Sequence, residues 1–139
     1  MNNIGTLQRR WSANKPMVYN KETRTVCLDI QPEKGSNGSM SENGEAELVD
    51  GYSYIAITID PHIEYGHIKS QLIEAGFAQK DEFGLLMNAV NGILTAVSSS
   101  DSWKDFKHNL DTEDVNAFVE FCEFRKMCAD AAKEVMKAY

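Results

Sequence analysis

The sequence has few cysteines and no long apolar run. Its three cysteines, Cys27, Cys122 and Cys128, form no C-x-x-C pair, so neither a disulfide framework nor a zinc knuckle is indicated. At helical spacing Cys122 and Cys128 point about 120° apart, which favours buried apolar roles for both. No apolar stretch approaches the roughly 18 residues of a membrane span, and the segment after Met1 lacks the apolar stretch of a secretory signal. We therefore expect a protein of a reducing compartment, without a leader.

Basic residues are outnumbered by acidic ones. The 139 residues include 14 Lys and Arg against 21 Asp and Glu, which gives a formal net charge of -7. This charge opposes binding to nucleic-acid phosphates and to anionic membrane surfaces, so we expect neither partner. The basic doublet Arg9-Arg10, beside Trp11, is interpreted as ordinary solvated surface.

Residues arranged for catalysis are also scarce. The sequence contains no nucleophile elbow, phosphate loop or dinucleotide fingerprint. The densest group of potential metal ligands is Asp60, His62, Glu64 and His67. The two histidines are five residues apart, a spacing that does not place them on one helix face as a zinc-binding helix requires. We therefore expect no enzymatic activity, no catalytic residue, no cofactor and no metal site.

The first 59 residues alternate between apolar and polar side chains and are interrupted by turn formers. Residues 17–19 and 25–30 are predicted to be the two arms of a β-hairpin. Residues 47–49 and 52–59 are predicted to form a second hairpin, because the Asp50-Gly51 pair between them is a good hairpin signal. The second arm, 52–59, is the clearest strand of the chain.

The segment between these predicted hairpins is rich in small and polar residues. Residues 32–44 include three Gly and three Ser and lack aromatic side chains. Such a segment cannot offset its ordering entropy by burial. The sequence therefore predicts a mobile loop from 32 to 44.

From residue 60 to residue 139 the apolar side chains recur at a helical period of about 3.6. In a first helix Tyr65, Ile68, Leu72 and Ala75 share an apolar face, and Gly76 is predicted to end the helix in the left-handed conformation. A second helix gathers its apolar side chains in one arc, which we interpret as a core-facing side. The residues of that arc are Phe83, Leu86, Met87, Val90, Ile93, Leu94 and Val97.

Two further helices are predicted near the C-terminus. The polar run 98–102 is placed to cap a short helix that contains Trp103 and Phe106. The last helix begins near Asp111-Thr112 and has an apolar arc wider than one neighbouring helix covers. Either the hairpins and the other helices cover the rest of this arc, or it is a subunit interface. The candidate interface residues are Phe121, Phe124, Cys128, Val135 and Tyr139.

These patterns predict an α+β fold in a single domain, residues 1–139. The β-rich part, 1–59, consists of N-terminal hairpins with the mobile loop. The helical part, 60–139, is predicted to be an antiparallel helical bundle with a long last helix.

Four segments carry a resemblance to known proteins: residues 51–56, 65–73, 118–126 and 131–135. Together they resemble small uncharacterised proteins encoded among tail and baseplate genes of phages and prophages of gut bacteria. The resemblance covers roughly the last two-thirds of the chain, and no catalytic motif belongs to it. It implies a variable β-rich N-terminal part, a closing aromatic and Ala-rich helix, and a location in the bacterial host cytoplasm or the virion.

The expected function is therefore that of a non-enzymatic, phage-type structural or assembly accessory protein acting by protein–protein contact. Its partners would be other proteins or further copies of the same chain. The alternative is a small acidic cytoplasmic adaptor or inhibitor that binds a basic host protein, an association that charge steers and salt weakens. An enzyme would depend on the Asp60–His67 segment alone.

Overall fold

The computed structural model describes residues 4–40, 42–110 and 112–139. Within these ranges strands precede helices and the last helix is the longest, which confirms the α+β class. The strands are β1 Arg10–Ser12, β2 Tyr19–Asn20, β3 Thr25–Pro32, β4 Gly35–Met40, β5 Ala46–Val49 and β6 Tyr52–Thr58. The helices are α1 Tyr65–Gly76, α2 Gln79–Ser98, α3 Trp103–Asn109 and α4 Thr112–Lys137.

A four-stranded antiparallel sheet has the order β1-β6-β3-β2. The first predicted hairpin is confirmed, because β2 pairs with β3 and Tyr19 lies opposite Val26. The turn between them is closed by Asn20, whose Oδ1 accepts the backbone N–H of Glu22 at 3.0 Å. Arg24 follows in the left-handed region with φ 53°. Because the hydrogen bonds of this turn are formed by neighbouring residues, the hairpin could be predicted from the local sequence.

The second predicted hairpin is wrong in its pairing, although β6 itself is a strand as predicted. Both edges of β6 are occupied, one by β1 and the other by β3. On the β3 side, Val26 lies opposite Ile57 and Leu28 opposite Ile55, and all four side chains are buried. Strand β5 pairs with β4 instead. When β6 pairs with β1 and β3, its alternating apolar side chains become buried. This burial outweighs the local preference of Asp50-Gly51 for a tight hairpin.

Part of the predicted loop 32–44 is a strand, because β4 pairs with β5 in a separate two-stranded sheet. Trp11 explains this ordering: its Nε1 donates to the Glu33 carbonyl at 2.8 Å, and its ring lies against Gly35 and Gly51. The glycines, which suggested flexibility, permit the close approach of this ring. Ser41 lies outside the described residues, and the mobility of the segment stays a prediction.

Arg9 is buried, which corrects the interpretation of the Arg9-Arg10 doublet as solvated surface. Its side chain is 2% exposed and its Nη1 lies 2.6 Å from Asp29 Oδ2. Its Nε donates to Ser53 Oγ at 3.2 Å. The β3–β6 register shifts between Leu28 and Gln31, and Asp29 has φ 49°. This bulge turns the Asp29 carboxylate and carbonyl oxygen toward Arg9, and both accept hydrogen bonds from its guanidinium.

The chain divides into two compact units, and the single-domain prediction stays a prediction. The first unit comprises Met1–Gly76 and Met127–Tyr139. In it the predicted α1 face is confirmed at Ile68 and Leu72, which are fully buried, but not at Tyr65, which is 36% exposed. Gly76 ends α1 but is not among the described residues with positive φ. Instead its carbonyl accepts the Thr6 N–H at 3.1 Å, which satisfies a free carbonyl of the last turn.

The second unit, Phe77–Lys126, contains α2, α3 and the first part of α4. The Phe77 ring contacts Phe121 edge-on at 5.1 Å and Phe124 at 5.4 Å between centroids. The capping prediction for α3 is confirmed, since Ser102 Oγ accepts the Asp105 N–H at 3.2 Å. The long last helix is confirmed from Thr112 onward, and the Asp111 part of that prediction lies outside the described residues.

Candidate interaction surface

The apolar arc of α2 faces outward, so the prediction that it is core is wrong. Seven of its side chains are between 37 and 64% exposed, and we call them the α2 face. Phe83, Leu94 and Val97 are the most exposed. The members of the α2 face are Phe83, Leu86, Met87, Val90, Ile93, Leu94 and Val97.

The side of α2 that is buried consists of small residues. Ala89 is 3% exposed and Ala96 is fully buried. At about 100° per residue these two alanines lie roughly 110° round the helix from the centre of the α2 face. The large apolar side chains of α2 therefore lie on its outer side.

The α2 face lies in a stretch without charge. No Lys, Arg, His, Asp or Glu occurs from Phe83 to Ser100. The nearest acidic residues along the helix are Asp81 and Glu82 in its first turn, where the helix dipole favours negative charge. Glu82 accepts from Arg125 at 3.1 Å. In the described part of the chain, no helix is long and apolar enough to cross a membrane.

A cleft of about 290 Å³ opens at the N-terminal end of the α2 face. Its apolar lining includes Phe83 and Leu86 from α2 and Phe118 from α4, all in the second unit. The Glu82–Arg125 ion pair also lines it, and Cys122 is exposed there. The lining of the cleft therefore combines apolar side chains with an ion pair, a composition typical of protein contact sites.

A second cavity, of about 460 Å³, lies at the other end of the α2 face. It is lined by Val97 together with Trp103 and Phe106 of α3. The two α3 rings stack with centroids 5.3 Å apart, yet Trp103 stays 68% exposed. Large exposed aromatic side chains are enriched at protein interfaces, so this end extends the apolar surface.

The interface residues predicted on α4 are mostly inside the protein. Phe121, Phe124, Cys128 and Val135 are at most 2% exposed, and Tyr139 is 55% exposed. Even Tyr139 has a partner, because its hydroxyl lies 2.7 Å from the Tyr19 hydroxyl. A side chain that is already buried offers no free surface to a partner. Of the two alternatives for this arc, packing within the chain and a subunit interface, packing within the chain accounts for these four residues.

The group of potential metal ligands forms two imidazole–carboxylate pairs in the first unit, and the two imidazole rings contact each other edge-on with centroids 4.7 Å apart. His62 Nε2 lies 3.0 Å from Glu64 Oε2, and His67 Nε2 lies 2.7 Å from Asp60 Oδ2. The hydrogen bond with His67, and then the His62 N–H, hold the pKa of Asp60 below its ordinary value. Each imidazole thus has its own carboxylate. Among the described residues, no group of three or more His, Cys, Asp or Glu is placed to hold a metal ion.

Comparisons with protein-family models, with curated proteins and with solved structures found no match to this sequence.

The sequence pattern identifies the residues of the α2 face but assigns them to the core, whereas they are exposed. Two signals in the sequence point to the observed orientation. The alanine pair Ala89 and Ala96 recurs at a seven-residue spacing, which predicts a close-packed stripe. The apolar positions 83, 86, 90, 93 and 97 alternate steps of three and four residues, the pattern of a helix–helix seam.

Proposed function

We propose that the chain acts by protein–protein contact through the α2 face, as a non-enzymatic structural or assembly accessory protein. The observation that supports this function is the exposure of seven large apolar side chains on one helix face. Together they present apolar area on the order of several hundred Å², as large as the biggest patch on a typical monomer. Leaving such an area in water is unfavourable at about 25 cal/mol per Å², so covering it drives association.

The proposed setting is the assembly of a phage-type structure, and it rests on the sequence resemblance. The segment 118–126, which carries part of that resemblance, includes Phe118 at the cleft beside the α2 face. The contact itself rests on the α2 face and does not depend on the setting.

The alternative, an acidic adaptor for a basic protein, predicts a contact made by charge. The uncharged stretch from Phe83 to Ser100 favours apolar burial over charge pairing at this surface. The two functions therefore differ in the kind of residue whose replacement abolishes binding.

Site-specific photo-crosslinking in the cells that express the protein tests this function. A benzophenone side chain introduced at Leu94, which is 58% exposed on the α2 face, is expected to give a protein adduct of discrete mass. The matched control is the same side chain at Asn88, an exposed position on the opposite side of α2. Mass spectrometry then identifies the protein in the adduct.

A discrete adduct from position 94 that is absent from position 88 supports contact through the α2 face. The absence of any protein adduct at position 94, or equal adducts at both positions, would refute it. When the crosslinking is repeated in a cell lysate, an adduct whose formation is abolished by moderate salt would favour the charge-driven adaptor.

A further inference from the structure

We propose that the occupant of the α2 face is a second copy of this chain, with two α2 helices packed antiparallel about a two-fold axis near Val90. This inference rests on the proposed function, because it names the partner of the same surface. It differs from the sequence-based expectation, which placed self-association on α4.

Symmetry sets the first requirement for such a contact. In a two-fold dimer the same patch lies on both sides of the interface and must complement itself. A patch with charges of one sign cannot do so, because the copies would place like charges together. The stretch from Phe83 to Ser100 carries no charge, so it can face its own copy without repulsion.

The net charge of the chain makes this surface a selective one. Two copies of a chain with net charge -7 repel each other when charged surfaces meet. At the uncharged α2 face that repulsion is weak, and large apolar side chains are exposed there. Repulsion from the acidic surfaces therefore favours approach of the second copy at the α2 face.

The direction of the two helices follows from the charges at the helix end. Asp81 and Glu82 occupy the first turn of α2. Parallel packing would bring the two acidic first turns together. Antiparallel packing separates them and places each beside the Trp103 end of the other copy, which contains Asp101 but also Lys107, whose Nζ lies over the Trp103 ring. Antiparallel packing also places opposite ends of the two helix dipoles side by side.

An axis near Val90 matches the spacing of the α2 face. Phe83 lies seven residues before Val90 and Val97 lies seven residues after it. Antiparallel packing about Val90 therefore brings Phe83 of one copy beside Val97 of the other. The cleft at the Phe83 end then meets the exposed Trp103 beside Val97, which supplies an aromatic side chain to an apolar recess.

The area agrees with a dimer of modest affinity. Two faces of several hundred Å² each bury on the order of 1,000 Å², the lower limit for a specific interface. The alternating steps of three and four residues in the α2 face are those of two helices that pack knobs into holes. We therefore expect association at micromolar rather than nanomolar concentration.

The first test is the mass of the purified protein across micromolar concentrations, by light scattering. The wild type is expected to move from 15.6 kDa toward twice that mass as concentration rises. Leu94→Glu, which puts a carboxylate on the α2 face, is expected to remain at the monomer mass. Asn88→Glu adds the same charge to the opposite side of α2 and is expected to associate like the wild type.

A second test does not depend on a disruptive substitution. In a Cys122→Ser background, Val90→Cys is expected to form a disulfide-linked dimer under mild oxidation, because the axis brings the two thiols together. Asn88→Cys places a thiol on the opposite side of α2, and this variant is expected to stay monomeric. Circular dichroism establishes that each variant is folded.

Different results would contradict the dimer and the contact function on which it rests. A wild type that stays at 15.6 kDa at high micromolar concentration, or a dimer that Leu94→Glu leaves intact, would remove the second copy as occupant. The contact function survives that result if position 94 crosslinks to a different protein in cells. It falls only when position 94 gives no specific adduct.

Discussion

At the scale of single residues, Arg9 joins the two strands on which the first unit depends. Its guanidinium bonds to the bulged Asp29 in β3 and to Ser53 in β6. An arginine that is 2% exposed stays favourable only while its partners remain in place. The sequence around it looked like surface because the partners lie 20 and 44 positions away.

Replacement of Arg9 is the first prediction. Arg9→Ala is expected to lower the free energy of unfolding by about 2 to 4 kcal/mol, because it removes the hydrogen bonds that the guanidinium donates to Asp29 and Ser53. The cost stays below that of a fully buried pair since Asp29 is 24% exposed. Urea denaturation measures it, with the exposed Arg10 replaced by Ala as the control. Equal losses for both variants would contradict the structural role of Arg9.

The three thiols give a second prediction. Burial raises the pKa of Cys128 to about 12 and also raises the pKa of Cys27, whereas Cys122 is exposed. Because the thiolate is the reactive form, iodoacetamide at pH about 8.5 is expected to label Cys122 first. Cys27 and Cys128 should react only after denaturant is added. Peptide mass spectrometry reads the sites, and early labelling of Cys128 would show that its surroundings open to water.

At the scale of elements, the small sheet of β4 and β5 depends on two glycines that flank Trp11. A Cβ added to Gly51 would overlap the Trp11 ring and come within 2.7 Å of the Ser12 carbonyl oxygen. The ring also contacts Gly35 of β4 and is held by the Glu33 carbonyl. Trp11 therefore links the larger sheet to the smaller one.

The third prediction follows from that contact. Gly51→Ala is expected to destabilise the protein by about 1 to 3 kcal/mol, because the ring and the backbone must move apart. Gly66→Ala is the control: it lies in α1, an added Cβ meets nothing within 4 Å, and the change should be neutral or stabilising by up to about 1 kcal/mol. Thermal unfolding compares the two. Limited proteolysis of Gly51→Ala should also show faster cleavage within 32–44 than in the wild type.

The contrast between α1 and α2 gives the fourth prediction. Leu72 in α1 is fully buried, whereas Leu94 in α2 is 58% exposed. Leu72→Ala is expected to cost about 2 to 5 kcal/mol through lost burial and a residual cavity. Leu94→Ala in dilute solution should cost less than about 1 kcal/mol. Similar costs for the two variants in chemical denaturation would mean that the α2 face is packed after all.

At the scale of the whole molecule, the net charge and the uncharged α2 face have opposite effects on self-association. A chain with net charge -7 repels its copies at long range, while the α2 face attracts at contact. Salt screens the first effect and leaves the second largely unchanged. The ionic-strength dependence of association therefore reports which effect governs the contact.

The fifth prediction concerns that dependence. Raising ionic strength from about 0.01 M to about 0.15 M shortens the Debye length from about 30 Å to about 8 Å. Self-association through the α2 face is expected to strengthen several-fold, because repulsion between the copies is screened. Sedimentation at both ionic strengths measures it. Weaker association at the higher ionic strength would indicate a contact between opposite charges instead.

The sequence by itself determined the elements whose signals are local. The β2–β3 turn contains its own closing hydrogen bonds at Asn20, and the helices follow from apolar period and caps such as Ser102. Neighbouring residues carry these signals, so no knowledge of distant partners was needed. The membership of the α2 face was predictable for the same reason.

Only the tertiary structure decided which surfaces these elements cover. Strand β6 takes β1 and β3 as neighbours and leaves β5 to β4, and Trp11 turns part of a predicted loop into a strand. In α2 the buried side is that of Ala89 and Ala96, and the large apolar side chains lie outside. Periodicity states that a helix has an apolar side, but burial of that side depends on partners distant in sequence. The same amphipathic pattern is therefore compatible with a core in one protein and a contact surface in another.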